Sequence, residues 1–130
     1  MNNQWLLKAA FTNTPHGVLV IDEHFRIFDL NPAASTLLGL PREKVVGQEC
    51  SHLMKCRNMN RTLLCGTSNC PVTHVIQQKQ PIAQEELILG GITDKPGEFA
   101  CSITPVEHEQ STYVVFAARD ISGIKMANRV

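Results

Sequence analysis

Four of the five cysteines of this chain crowd into the stretch CSHLMKCRNMNRTLLCGTSNC, which covers residues 50–70. They are Cys50, Cys56, Cys65 and Cys70. Cysteine thiolates bind zinc and iron–sulfur clusters, cysteine pairs form disulfides, and free cysteines also fill space in a core. The residue type and its density therefore raise metal binding, redox chemistry and simple packing as the candidate roles of this stretch.

The spacing of the four cysteines favours an iron–sulfur cluster over zinc. The spacers are five residues between Cys50 and Cys56, eight between Cys56 and Cys65, and four between Cys65 and Cys70. Structural zinc ligands usually pair across about two to four residues, which only the last spacer satisfies. Iron–sulfur clusters accept thiolates over more varied loops. We therefore predict Cys50, Cys56, Cys65 and Cys70 as metal ligands of an iron–sulfur cluster, with zinc, disulfides or inert thiols as the alternatives.

The second cysteine pair has further support from its neighbours in the sequence. Cys70 precedes Pro71, a residue that suits the first helical position, and the unpaired N–H groups of a helix end favour a thiolate there. Gly66 and the rest of the GTSN turn allow the backbone to reverse between Cys65 and Cys70. Cys101 lies apart, on a predicted strand, where its alternation with apolar residues predicts a core position.

The overall composition limits the classes of partner. Lysine plus arginine number 12, and aspartate plus glutamate also number 12, in 130 residues. A neutral chain gives no electrostatic reason to expect direct contact with nucleic acid or an anionic membrane. MNNQWLLKAAF lacks the basic start and the apolar run of a signal peptide, and no apolar run is long enough to span a bilayer. We therefore expect a cytoplasmic, reducing setting.

Periodicity and helix punctuation predict the elements that must position these cysteines. Residues 3–12 read as an amphipathic helix that ends before Pro15. GVLVID and FRIFDL, which the polar residues Asp22, Glu23 and His24 join, predict an antiparallel hairpin. NPAASTLLG predicts a short helix that Asn31 caps and that Gly39 ends in the left-handed conformation.

The second half of the chain changes from helical to strand periodicity. PREKVVG predicts a further helical turn or two, and PVTHVIQQK predicts a helix whose Val72, Val75 and Ile76 share one face. AQEELILGG, GEFACSITPVEHE and STYVVFAARDIS predict three long strands. The complete order of elements predicts an α+β fold, in which short helices lie on one face of a five-stranded antiparallel sheet and an amphipathic helix precedes it.

With these elements in place, the sequence resembles a PAS domain, the sensory module of many bacterial signalling proteins. The resemblance lies in GVLVIDEHFRIFDLNPAASTLLGL, in PREKVVGQ, in the three closing strands and in the ending RDIS. It implies the strand order 2-1-5-4-3 and a pocket between sheet and helices. It also implies an N-terminal helix or dimerisation segment at residues 1–12, a sensor domain at 13–122, and the start of a linker to an output domain at 123–130.

The cysteine-rich stretch has a counterpart in the same family. CSHLMKCRNMNRTLLCGTSNCP resembles a run that a subset of bacterial PAS domains carries, ending in Cys-Pro just before the long helix. This resemblance implies redox or oxygen sensing through a cysteine-ligated cluster or metal. Haem-binding members use an axial histidine on the helix that here contains His74. Haem, and the absence of any cofactor, are therefore further alternatives to the iron–sulfur cluster.

The resemblance also implies a binding pocket and a route for the signal. The predicted pocket residues lie on the strands and are Phe28, Leu87, Phe99, Cys101 and Phe116. The predicted relay consists of Asp120 and Ile121, at the point where the chain leaves the sheet.

Partners and activity follow from the same resemblance. We expect a homodimer through the N-terminal helix, where Trp5, Leu6 and Ala10 are available, and an output domain in the full-length chain: a histidine kinase, an ATPase-type activator or a cyclase. No phosphate-binding glycine motif, nucleophile elbow or kinase signature indicates an enzyme. The predicted function is signal-sensing input to a signalling or transcription-regulatory protein. A cofactor-free interaction module or a small-molecule sensor is the alternative.

Overall fold

The helices and strands follow the predicted order. The computed structural model describes residues 3–90 and 96–123. Over these residues the helices are α1 (Gln4–Asn13), α2 (Pro32–Leu38), α3 (Arg42–Val45), α4 (Cys50–Met54) and α5 (Pro71–Gln78). The strands are β1 (Gly17–Ile21), β2 (Ile27–Leu30), β3 (Ile82–Leu89), β4 (Gly97–His108) and β5 (Ser111–Asp120).

The five strands form one antiparallel sheet in the order β2-β1-β5-β4-β3. This order confirms the α+β fold and the strand order that the family resemblance implies. The longest pairing joins β4 to β5 through a tight turn at Glu109 and Gln110, whose φ angles are 48° and 69°. Two left-handed residues match the twist of a hairpin, so this turn fixes the register of the central strands.

One face of the sheet and the apolar sides of the helices form the core. Alternate residues of β5 are buried, and Val72 and Val75 of α5 are buried as predicted. Ile76 packs against the same core while partly exposed. Among the described residues, no helix is both long and apolar enough to cross a membrane.

Asn31 ties the N-terminal helix to the sheet and to α2. Its side-chain carbonyl accepts hydrogen bonds from the N–H groups of Ala34, at 2.9 Å, and Val18, at 3.0 Å. Its amide group donates to the carbonyls of Phe11, at 3.0 Å, and His16, at 2.9 Å. The predicted cap is therefore confirmed, and the same buried side chain also fixes the chain between α1 and β1.

Both ends of α2 agree with the sequence, whereas the surroundings of α1 differ from an ordinary amphipathic helix. Gly39 ends α2 with φ 73°, as predicted. No residue of α1 is buried, and Trp5, Leu6 and Leu7 are largely exposed. The predicted linker at 123–130 falls almost wholly outside the described residues.

The two edges of the sheet are both covered by nearby chain. On the β2 edge, the N–H of Ile27 donates to the carbonyl of Gln48, and the N–H of Gly47 donates to the carbonyl of Ile27. On the β3 edge, Arg57 and Ile88 exchange two backbone hydrogen bonds of 2.9 Å. The segments that cover these edges lie on either side of α4.

Candidate functional site

A short helix and a polar turn bring the first two cysteines toward the third. Cys50 begins α4, which ends at Lys55 in the left-handed conformation with φ 43°. The side-chain oxygen of Asn58 then accepts hydrogen bonds from the backbone N–H groups of residues 60 and 62, which closes a turn. The chain returns so that the N–H of Leu64 donates to the carbonyl of Cys56 at 2.9 Å. Cys56 and Cys65 therefore lie side by side although eight residues separate them.

A second turn places Cys70 near the same point. Gly66 has φ 76°, and the N–H of Thr67 donates to the carbonyl of Leu64. The N–H of Cys70 in turn donates to the carbonyl of Thr67 at 3.2 Å. Cys70 is the N-terminal cap residue of α5, with Pro71 in the first turn as predicted. The reversal that the GTSN sequence predicts is present in the backbone.

The four cysteines form one buried cluster beside a surface cavity. We call this set, Cys50, Cys56, Cys65 and Cys70, the cysteine cluster, and all four are buried, free thiols. Three of them, Cys50, Cys65 and Cys70, line a cavity of about 460 Å³, together with residues of α5 and of the β1–β2 turn. Cys56 contacts Cys65, and Cys50 shares the cavity with Cys65 and Cys70.

Hydrogen bonding makes Cys65 the acidic member of the cluster. Its sulfur accepts a hydrogen bond from the thiol of Cys56 and another, of 3.0 Å, from the backbone N–H of Cys56. Together with the nearby Arg57 guanidinium, these donors outweigh burial and lower the pKa of Cys65 to about 7. Cys65 is therefore the member of this pair that loses its proton more readily near neutral pH.

The neighbouring thiols hold their protons more tightly. Donation to Cys65, followed by burial, raises the pKa of Cys56 well above its ordinary value. Burial, and then the proximity of Cys65 and Cys70, raises the pKa of Cys50 to about 12. Cys101, in the predicted core position on β4, also has its pKa raised to about 12, by burial and then by Glu85. The cluster thus contains both proton donors and a thiolate.

The cluster has the donor type for a soft metal but not a formed ligand shell. Four thiols suit an iron–sulfur cluster or zinc. Within residues 3–90 and 96–123, however, no group of three or more His, Cys, Asp or Glu side chains is arranged to hold a metal ion. The hydrogen bonds between Cys56 and Cys65 occupy positions that a metal would take. This arrangement is one of interacting thiols.

The segment that carries the cluster is attached directly to the sheet. Arg57, the residue after Cys56, pairs with Ile88 on β3, and the N–H of Gly90 donates to the carbonyl of Met54 at 3.0 Å. Arg57 is not among the site residues predicted from the sequence. A basic residue adjacent to a clustered cysteine is the signal that could have found it, because such a charge stabilises a thiolate.

The predicted pocket residues divide between the core and the outer surface. Leu87, Phe99, Cys101 and Phe116 are buried on the core side of the sheet. Phe28 is not, which corrects the prediction that it lines an interior pocket. It is 56% exposed and contacts the ring of Tyr113, edge to face at 5.3 Å. The reason is the irregular register near β2, where Ile27 and Leu30 take the buried positions.

A second cavity, of about 420 Å³, lies between α2 and the sheet and ends near the predicted relay. Phe99 and Asp120 are among its lining residues. Asp120 accepts the N–H of Ser122 at 2.9 Å, and the buried Ile121 donates its N–H to the carbonyl of Glu98 at 3.0 Å. The end of β5 is thus fastened to the start of β4, where the chain leaves the sheet.

Three of the histidines, His52, His74 and His108, line neither of these two cavities. His74 occupies the exposed side of α5, opposite the buried valines, so it does not face the core as an axial haem ligand would. His52 and His108 are exposed, each near a glutamate of its own segment, at 3.7 Å in both cases. The structure brings none of these three into the cysteine cluster.

Comparison with known proteins gives a consistent family. The sequence model of the PAS domain family matches residues 15–123. No curated protein matches the chain. Among solved structures, the PAS domain of nitrogen regulation protein NR(II) from Vibrio parahaemolyticus is 20% identical, with a TM-score of 0.71 over 89% of this chain and 98% of that one.

Two further solved structures show the same fold. A PAS domain from Colwellia psychrerythraea is 18% identical, with a TM-score of 0.73 over 94% of this chain and 99% of that one. A domain of a sensory box sensor histidine kinase/response regulator from Geobacter sulfurreducens is 16% identical, with a TM-score of 0.70 over 91% and 94%. At such identities, the similarity extends to the fold alone.

Proposed function

Since this chain belongs to the PAS domain family, we propose that it is the sensory input domain of a signalling or transcription-regulatory protein, and that it senses through the cysteine cluster. The observation that carries this proposal is the convergence of four buried thiols beside one cavity. Thiols respond to oxidants and to soft metals, so a cluster of them is chemically suited to a redox signal. Similar domains occur in sensor histidine kinases, which supports a kinase as the output partner.

The attachment of the cluster to the sheet supports a route for the signal. A change at Cys56 would move Arg57, whose two hydrogen bonds hold Ile88 of β3. From β3 the displacement would pass through β4 to β5 and reach Asp120 and Ile121. Signalling by such a route requires two arrangements of the sheet that the state of the thiols favours differently.

We propose an iron–sulfur cluster as the cofactor, with zinc as the competing occupant. A bound iron–sulfur cluster would supply one-electron redox chemistry and sensitivity to oxygen. To bind it, Cys56 and Cys65 would give up their mutual hydrogen bonds, and Cys56 would turn toward the cavity that Cys50, Cys65 and Cys70 already line. The donor set favours this proposal, whereas the hydrogen-bonded pair opposes it, so metal content has to be measured directly.

The test is metal analysis of protein purified without oxygen and then incubated with iron and sulfide, or separately with zinc. Comparable amounts of bound iron and sulfide with visible absorption would support the cluster, and zinc alone would support the competing site. The variants Cys56→Ser and Cys70→Ser should lose the metal, while Cys101→Ala, a buried cysteine outside the cavity lining, should retain it. Wild-type protein that binds neither metal better than these variants would refute the cofactor.

A second candidate is an interaction module that pairs with another copy through α1. The observation that favours it is the exposure of three consecutive apolar residues, Trp5, Leu6 and Leu7, at 71%, 53% and 69%. Apolar side chains exposed together commonly mark a contact surface. This candidate is compatible with the first one, because a dimer of input domains would transmit a change between two chains.

A further inference from the structure

The strongest interaction within the cysteine cluster joins Cys56 to Cys65. The sulfur of Cys65 lies 3.0 Å from the backbone nitrogen of Cys56 and also accepts a hydrogen bond from the Cys56 thiol. The neighbouring backbone bond from Leu64 to Cys56, of 2.9 Å, holds both cysteines at the base of one turn. Cys65 and Cys70, by contrast, act on Cys50 through charge, which adds to burial in raising the pKa of Cys50. Within the cluster, the hydrogen-bond geometry thus joins Cys65 to Cys56.

The two members of this pair differ in their access to reagents. Cys65 lines the cavity of about 460 Å³, which a small molecule in solution can enter. Cys56 does not contribute to that lining and is only 2% exposed. The sulfur of Cys65 also accepts a hydrogen bond from the Cys56 N–H, a donor that stabilises a thiolate. A reagent therefore meets Cys65 first, with Cys56 directly behind it.

We propose that Cys65 and Cys56 are a reversible disulfide site, in which Cys65 is the attacking thiol for a hydroperoxide and Cys56 is the resolving thiol. The chemistry needs no bound metal, so it goes beyond the proposed cofactor. As a means of regulation it rests on the proposed function, because oxidation would withdraw two of the four thiols from any metal.

The reaction balances as a two-electron oxidation of two thiols. The Cys65 sulfur attacks one oxygen of hydrogen peroxide, the O–O bond breaks, and the departing hydroxide takes a proton to become water. The sulfenic acid on Cys65 is then attacked by the Cys56 sulfur, the S–O bond breaks, and the released oxygen leaves as a second water with the thiol proton. A dithiol reductant restores both thiols by exchange.

The disulfide would act on the same turn that contacts β3. An S–S bond of about 2.05 Å is shorter than a contact between two hydrogen-bonded sulfurs, so the turn must tighten. Arg57 follows Cys56 and is paired with Ile88, which places this tightening beside the sheet edge. Oxidation would thus produce a mechanical change as well as a chemical one.

The experiment uses the whole chain, treated with a chelator, fully reduced and desalted, and then exposed to hydrogen peroxide. Remaining thiols are blocked with N-ethylmaleimide, and tryptic peptides are analysed by mass spectrometry. Trypsin cleaves after Lys55 and Arg57, which separates Cys56 from Cys50. We expect a crosslink between the Cys56-containing dipeptide and the peptide 62–79, with fragmentation assigning the bond to Cys65, and its loss with dithiothreitol.

Variants identify the role of each sulfur. Cys65→Ser should abolish the crosslink, and Cys56→Ser or Cys56→Ala should replace it with irreversible addition of oxygen to Cys65. The matched control Cys101→Ala should crosslink as the wild type does. A crosslink from Cys50, a bond to Cys70 instead of Cys65, or undiminished disulfide in Cys56→Ser would overturn the proposal. If a variant does not fold, the crosslinked peptides of the wild-type chain still identify which two cysteines form the disulfide.

Metal content measured on the same preparation before chelation separates the two proposals. Protein that contains no metal but forms the Cys56–Cys65 crosslink refutes the cofactor and supports the disulfide. Protein that binds iron or zinc, and whose metal-free form gives no crosslink, refutes the disulfide and supports the cofactor.

Discussion

Replacing Asn31 tests how the N-terminal helix is held to the sensor fold. Asn31 is 1% exposed, and its side chain contacts four backbone groups, those of Phe11, His16, Val18 and Ala34. Asn31→Ala removes every one of these hydrogen bonds. Its effect on the free energy of unfolding therefore reports on the junction of α1, β1 and α2.

The expected loss of stability depends on whether each backbone group that loses its hydrogen bond to Asn31 can bind water instead. Loss of a helix cap at Ala34 costs about 1 kcal/mol, and leaving the Val18 N–H without its acceptor costs about 1–3 kcal/mol. The carbonyl of His16 belongs to an exposed residue and can bind water instead. We expect Asn31→Ala to lower the free energy of unfolding by about 2–4 kcal/mol. That is a large share of the roughly 5–15 kcal/mol typical of a domain.

A second substitution separates the accepting half of the side chain from the donating half. Asn31→Asp keeps an acceptor for Val18 and Ala34 but turns a carboxylate toward the two carbonyls that the amide served. We therefore expect it to cost less than Asn31→Ala while still loosening the contact with α1. Hydrogen exchange should show faster exchange of the Val18 and Ala34 amides in Asn31→Ala than in Asn31→Asp.

The assay is urea unfolding followed by circular dichroism, with Asn13→Ala as the control. Asn13 is exposed, and its amide donates a single hydrogen bond, to the carbonyl of Ala9. Its replacement should change stability by no more than about 0.5 kcal/mol. If Asn31→Ala destabilises the chain by less than about 1 kcal/mol, or no more than Asn13→Ala, the assignment of Asn31 as the anchor is refuted.

Three further predictions concern the thiols, the packing under α2 and the N-terminal helix. Because the pKa of Cys65 is lowered to about 7, the rate at which iodoacetamide labels it should rise as pH increases through that value and then level off. A labelling rate that still increases steeply above pH of about 8 would contradict this prediction. Gly17→Ala would bring a Cβ within 3.3 Å of the Ala34 Cα, so the free energy of unfolding should fall by about 1–3 kcal/mol. Gly123→Ala is the control, because a Cβ there meets nothing within 4 Å. Equal effects of the two substitutions would refute the close packing of Gly17 against α2. Trp5→Ala should leave stability nearly unchanged but weaken any dimer seen by light scattering, and a dimer of unchanged strength would exclude Trp5 from its interface.

The local elements could be predicted from the sequence because their signals are local. The Asn31 cap and the Gly39 stop define α2, and alternation of apolar residues defines the long strands. The strand order came from the family resemblance, since pairing between distant strands leaves little trace in any one stretch. α4 was not predicted as a helix: it spans five residues without a capping side chain, and three of those residues are buried.

The candidate site shows the same division between local and distant information. Spacing alone paired Cys65 with Cys70, but the contact that the structure shows is between Cys56 and Cys65, because the turn at Asn58 folds the chain back on itself. The misplacement of Phe28 has a related cause. A single irregularity in register between β1 and β2 changes which residues face inward, and no residue in the strand signals it.

The covering of both sheet edges by the chain around α4 has a consequence for solubility. An open edge strand presents unpaired N–H and C=O groups to which a strand of another molecule can add. Residues 47 and 48 occupy part of the β2 edge, and Arg57 occupies part of the β3 edge at Ile88, so one short stretch protects both. Any chemistry that dislodges this stretch would convert the sheet into a template for intermolecular β-pairing. A change at the cysteine cluster, which this stretch carries, would therefore also affect how readily the sheet edges pair with other molecules.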